Sequence, residues 1–188
     1  MDYREFIEQR LKDYPKRLKH TYGVYKRSLE LGKLYNADLE VLKVASLMHD
    51  VTKHESDEFH EKLINDSFIL LKYPKAMWHA FSAAKVLKDI GITNKKIIEA
   101  VKYHVFGKIE MNIETMIICV SDFTEENRDF LEAKEAYKIA LKSLTDAYLY
   151  SIKSTMDHLK SKNIEPIKEQ IDTYLYYKER RDKVNGST

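Results

Sequence analysis

A chain of 188 residues with 44% hydrophobic and 33% charged side chains can bury one real core but is short for two, so one domain is expected over residues 1–182. A formal net charge of +2 lacks the concentrated basic face of a nucleic-acid binder, although a small anionic ligand is compatible with it. No apolar run approaches the roughly 20 residues that span a bilayer, and the start Met1-Asp2-Tyr3-Arg4-Glu5 does not resemble a secretion signal; a cytoplasmic protein without membrane contact is expected.

Only 5 Gly and 3 Pro punctuate the chain, which favours long helices. Pro15 suits the first turn of a helix running to about Tyr35, with Leu18, Tyr22, Tyr25, Leu29 and Leu34 on one face and His20 in its second turn. Asn36-Ala37-Asp38 reads as a break with Asp38 as N-cap, and Val41, Leu42, Val44, Ala45, Leu47 and Met48 follow almost without polar interruption. That pattern predicts a helix buried on most sides, with His49 and Asp50 at its C-terminal end.

Val51 to about Asp57 reads as loop, and one helix with Phe59, Leu63, Ile64, Leu70 and Leu71 is expected to stop before Pro74. His79 is expected to open the next helix, which carries Ala80, Ala83, Ala84 and Leu87 and ends at Gly91. Asn94 suits the cap of a helix over Ile97 to Tyr103, with His104 at its end and Gly107 beyond. A further helix from about Asn112 to Thr124 places Asp122 in its last turn. Cys119, the only cysteine, lies in its apolar stretch and is read as a buried thiol. The 13 tyrosines recur at helical spacing and are read as amphipathic packing residues. Leu131 to Leu159 and Pro166 to about Arg181 predict two more amphipathic helices, and residues 183–188 are expected to be a disordered tail. No stretch competes as a strand. The fold class is all-α, a helical bundle that can bring ligands from several helix ends into one cleft.

His49-Asp50 is the focal pair, yet such a pair arises by chance in about every second chain of this composition. With His20 and Asp122 it makes a His-His-Asp-Asp set, the usual donors for a catalytic metal ion, which leaves positions for water and substrate. On spacing alone, a capping role for His49 with Asp50 opening the loop is the favoured reading. His54, His60 and His158 are read as surface or loop histidines.

The order His20, then Leu47-Met48-His49-Asp50-Val51-Thr52-Lys53, then Asp122 resembles that of the HD-domain metal-dependent phosphohydrolases, an all-helical superfamily. More closely, the chain resembles the YqeK family, bacterial symmetrical bis(5′-nucleosyl)-tetraphosphatases that split diadenosine tetraphosphate into two ADP. The matching stretches are Arg17-Leu18-Lys19-His20, Met48 to Lys53, His79-Ala80 with Ala84, Ile98 to His104 with Gly107, Lys108 and Met111, and Ser121 to Arg128. The resemblance implies a metal ion, iron with manganese as an alternative, on His20, His49, Asp50 and Asp122. It implies catalytic and nucleotide-contact roles for Lys53, His79, His104 and Arg128, with His20 and Asp122 also facing the substrate. A small nucleotide is the implied partner, and a homodimer is compatible with the resemblance. Alternatives are another HD-type nucleotide phosphohydrolase, a low-turnover regulator that binds nucleotide or metal, or a second metal on His79 and His104. The guanosine-tetraphosphate hydrolases fit less well, since they carry Glu-Asp where this chain has Lys53-His54. The chain departs from the family at Val105-Phe106, where two threonines are usual, and at Glu165-Pro166 and Asp172-Thr173, where His-Pro and Arg-Asn are usual. These departures bear on the nucleoside, not on metal or phosphate.

Overall fold

A computed structural model describes residues 2–185, with side chains through 183. All regular structure among the described residues is helical, as the sequence predicts: α1 (Tyr3–Arg10), α2 (Pro15–Leu34), α3 (Leu39–Met48), α4 (Asp57–Ile64), α5 (Ser67–Lys72), α6 (Lys75–Asp89), α7 (Lys95–Tyr103), α8 (Ile113–Thr124), α9 (Leu131–Ala140), α10 (Leu144–Ser161) and α11 (Lys168–Asn185).

Helix α3 is the central element, packed against α1, α2, α7 and α8. Its sequence explains why. Val41, Leu42, Ala45, Leu47 and Met48 are all buried, so a helix with apolar residues on most sides finds neighbours on most sides. Asp38 caps it, accepting from the backbone N–H of Glu40 and Val41 at 3.0 and 3.2 Å. Helix α10 packs on α8, α9 and α11, while α6 packs between α4 and α7. A second apolar cluster, Ile64, Met77, Trp78, Phe81 and Phe106, fills the space behind α6.

Five boundaries differ from the sequence expectation. Asp2 caps an unforeseen α1, accepting from the N–H of Arg4 and Glu5, and buries Ile7 under α3. The single helix expected up to Pro74 is two, because Asn65 adopts a left-handed φ of 45° and Asp66 starts a fresh helix by accepting from Phe68 and Ile69 N–H. Helix α6 starts at Lys75, directly after Pro74, so His79 lies one turn inside it rather than opening it. The helix expected from Leu131 to Leu159 is broken after Ala140, where Ser143 Oγ accepts from Asp146 N–H at 3.2 Å and starts α10. At the other end α11 continues to Asn185, past the expected stop at Arg181, so 183–185 is helix and not tail; residues 186–188 of that expected tail lie outside the described residues.

Candidate metal centre

Five helix segments converge on Asp50. Helix α3 ends at Met48, and His49 and Asp50 follow it into a turn with both side chains buried. Asp50 is the hub. Its Oδ2 faces Arg17 Nη1 at 2.6 Å, His49 Nε2 at 3.4 Å and His20 Nε2 at 3.7 Å, while Oδ1 faces His79 Nε2 at 3.2 Å and His104 Nε2 at 3.6 Å. Asp122, in the last turn of α8, joins through His20, whose Nε2 lies 3.0 Å from Asp122 Oδ1.

The imidazoles are oriented from behind. His49 Nδ1 lies 2.7 Å from Ser46 O and His104 Nδ1 lies 2.7 Å from Val101 O. A carbonyl oxygen only accepts, so both Nδ1 atoms are the protonated ones and both Nε2 atoms carry lone pairs toward the site when the rings are neutral. His20 is held likewise, its Nδ1 3.2 Å from Glu125 Oε1. Glu125 in turn accepts from the backbone and side-chain N–H of Asn127 at 2.7 and 2.8 Å.

This donor set fits a cation. The Nε2 atoms of His20 and His49 are buried and face carboxylate oxygens, Asp122 Oδ1 at 3.0 Å and Asp50 Oδ2 at 3.4 Å. Two groups of ligand atoms, His20-His49-Asp50 and Asp50-His79-His104, are each close enough to share an ion. Burial alone would raise the Asp50 carboxyl, yet the charge of His49 and hydrogen bonds from His104, His49 and His79 hold it well below the usual carboxylate range. Asp122, also buried, is pulled down by the hydrogen bond and charge of His20, then by His49 and Arg128. Two buried carboxylates thus demand positive charge among the Nε2 atoms, as protons or as a metal ion.

Every candidate site residue from the sequence lies in this cluster. Lys53 Nζ lies 3.2 and 3.3 Å from the two ring nitrogens of His79, and His79 Nε2 lies 3.3 Å from His104 Nε2. Burial pushes the Lys53 ammonium down, partly offset by Asp50 and Asp122. Burial likewise pushes His79 down to about 4, so its ring is neutral at neutral pH. Arg128 donates from Nε to the carbonyl of Asp122 at 3.1 Å and from Nη2 to its Oδ1 at 3.0 Å. Beside the centre, His104, Asp122 and Arg128 line a cavity of about 230 Å³, with the buried and unpartnered hydroxyl of Tyr148 in its wall.

Three contributors went unassigned in the sequence. Arg17 and Glu125 stand three residues from His20 and Asp122, a helical spacing that puts each on the same face as its neighbour and is the signal that finds them. The third is a correction: His60 is buried, not at the surface, and its Nδ1 lies 2.8 Å from Ser82 Oγ. Ser82 Oγ lies 2.8 Å from Thr52 Oγ1, and Thr52 Oγ1 lies 2.9 Å from the backbone carbonyl of His79, which accepts from this hydroxyl pair. This buried chain ties the turn after Asp50 to the helix of His79. His54 is exposed and stacks on Tyr14 at 4.0 Å, and His158 is exposed. Cys119 is buried as expected, its thiol donating to Tyr103 O at 3.5 Å and pushed up by burial, so it is no nucleophile. Among the described residues no helix is long and apolar enough to cross a membrane.

The HD-domain family model matches residues 17–127, the stretch from Arg17 to the partner of Glu125. A symmetrical bis(5′-nucleosyl)-tetraphosphatase of Bacillus subtilis is 32% identical over 175 residues, covering 91% of each chain. One from Halalkalibacterium halodurans is 28% identical, covering 84% of this chain and 87% of its own. A solved structure from Clostridium acetobutylicum, described as a predicted HD superfamily hydrolase involved in NAD metabolism, superposes with a TM-score of 0.86 at 25% identity, covering 94% of this chain and 97% of its own. The spacing of the donors, their convergence on Asp50 and these likenesses agree: the chain belongs to the HD-domain family and, within it, to the YqeK family.

Proposed function

We propose that the protein hydrolyses a dinucleoside tetraphosphate, diadenosine tetraphosphate first among them, to two nucleoside diphosphates. In this reading His20, His49, Asp50 and Asp122 hold the metal ion, iron by preference, with manganese accepted by the same donors. The observation that carries it is the set of imidazole Nε2 atoms aimed at the Asp50 carboxylate, with the rings of His20, His49 and His104 held at Nδ1 by an acceptor behind them. The bound ion supplies Lewis acidity toward a phosphoryl oxygen and a lowered pKa for water.

The chain's own residues supply the rest. Arg128 and Lys53 bring positive charge to a tetraphosphate that carries several negative charges, and Asp122 fixes the direction of Arg128. With Lys53 donating to one ring nitrogen of His79, the other carries the N–H and donates to a phosphate oxygen. His104 keeps an accepting Nε2 and can take the proton of the attacking water. Water attacks the phosphorus second from one nucleoside, the bond to the oxygen bridging to the third phosphorus breaks, and a nucleoside diphosphate leaves.

Chromatography of the products tests this. ADP as the sole nucleotide product is expected, whereas AMP with ATP opposes a symmetric cut. A second reading has its own support: Asp50, His79 and His104 form a second donor group that shares Asp50 with the first, as a two-ion centre would. Metal analysis of the active protein separates one ion per chain from two.

A further inference from the structure

The inner cavity beside the metal centre has a larger neighbour. Phe123, Phe130 and Thr155 line the inner cavity and also line the larger one, of about 800 Å³, which opens between the end of α8, the start of α9 and the outer face of α10. The larger space lies within the range that holds ligands of nucleotide size. The inner part carries His104, Asp122 and Arg128, while the outer part carries Tyr150, Lys153 and His158 beside the two phenylalanines. Phe123 and Phe130 meet edge to face at 5.2 Å, and Phe130 is 41% exposed, so part of its ring is open to stacking from the cavity.

A symmetric cut sets a requirement on the far side of the attacked phosphorus. The departing half is itself a nucleoside diphosphate, so a path must lead from the metal centre, through space for phosphates, to space for a base and a ribose. The two adjoining cavities follow that order: Arg128 and His104 first, then the aromatic faces of Phe123 and Phe130 that both share, then the polar groups of α10. We propose that the outer cavity receives the second nucleoside of the substrate, its base stacked against Phe130 and Tyr150 and its ribose within reach of the polar side chains of α10. The inference rests on the proposed symmetric hydrolysis. Stacking on aromatic faces tolerates any base, so the subsite holds a nucleoside without selecting among purines.

The test compares two substrates with the same four phosphates, diadenosine tetraphosphate and adenosine 5′-tetraphosphate, which lacks the second nucleoside. Metal-loaded wild-type protein is expected to show a higher kcat/KM for the first. In Phe130→Ala and Tyr150→Ala that preference is expected to fall about tenfold each, the order of one lost stacking contact, mainly through KM. Both side chains have solvent-facing surface, and an unchanged thermal midpoint verifies the fold of each variant. A preference that survives both substitutions, or an equal loss on both substrates, overturns the subsite. If wild-type protein turns over neither substrate, the reaction class is wrong and the inference falls with it.

Discussion

Glu125 Oε1 lies 3.2 Å from Nδ1 of His20, and the contact depends on a missing side chain: a Cβ on Gly23, one turn along α2, would stand 2.1 Å from Glu125 Oε2. The carboxylate reaches the imidazole only because α2 presents a glycine there. Groups behind a metal-binding histidine typically change metal affinity by about 10–100-fold when removed. Glu125→Gln is therefore expected to lower metal affinity by about tenfold, and Gly23→Ala by more, since it pushes the carboxylate away. Titration of metal-stripped protein with a divalent ion measures both; unchanged affinity in the two variants would contradict an orienting role.

Phe106 is a central side chain of the second apolar cluster. It is 1% exposed and stacks between Tyr73 and Phe81, with ring centroids at 5.4 and 5.8 Å. The side chain serves the core of this chain. Phe106→Ala is expected to cost about 3–5 kcal/mol of stability, read by chemical denaturation, and metal affinity in the folded fraction is expected to hold. A loss below about 1 kcal/mol would mean that the second apolar cluster does not depend on it.

Acidification should loosen the metal-free protein through two buried histidines. His79 falls to about 4 and His60 is also lowered, in both cases first by burial. The unfolded chain takes up protons on these rings near pH 6.5, whereas the folded chain resists until lower pH. Their contribution to stability is thus fully present above about pH 6.5 and is lost as pH falls toward about 4. Thermal midpoints of metal-free protein at pH 7 and pH 5 should differ in that direction, and His60→Gln should shrink the difference. A midpoint that rises on acidification would contradict the sign.

Ser143 separates α9 from α10 and holds the first turn of α10 through the N–H of Asp146. Ser143→Ala is expected to cost about 1 kcal/mol, measured by urea denaturation. Retention of full stability would show that the break at Leu141 and Lys142 is imposed by packing alone.

Much of the fold could be read from periodicity and caps. Asp38, Asn94 and Asn112 each cap the helix they were expected to open. Two of the misplaced boundaries share a cause: Asn65 and Ser143 break apolar patterns that continue on both sides, and the pattern alone does not reveal so short a change of backbone direction. Residue types and family order brought all eight candidate side chains to the centre. The supporting groups were harder, because Glu125, Arg17 and His60 act through partners distant in sequence, such as Ser82 for His60. His60 resembled a loop histidine because its burial comes from α6, not from its own helix.

The most direct test of the centre follows diadenosine tetraphosphate turnover in wild-type protein and in Asp50→Asn, each before chelation, after chelation and after metal is restored. Asp50 touches every imidazole of the cluster, so the account predicts ADP as the only product of wild-type protein, activity abolished by chelation and restored by metal, and neither metal retention nor activity in the variant. Activity that survives chelation, or an Asp50→Asn protein that still binds metal and yields ADP, would contradict it.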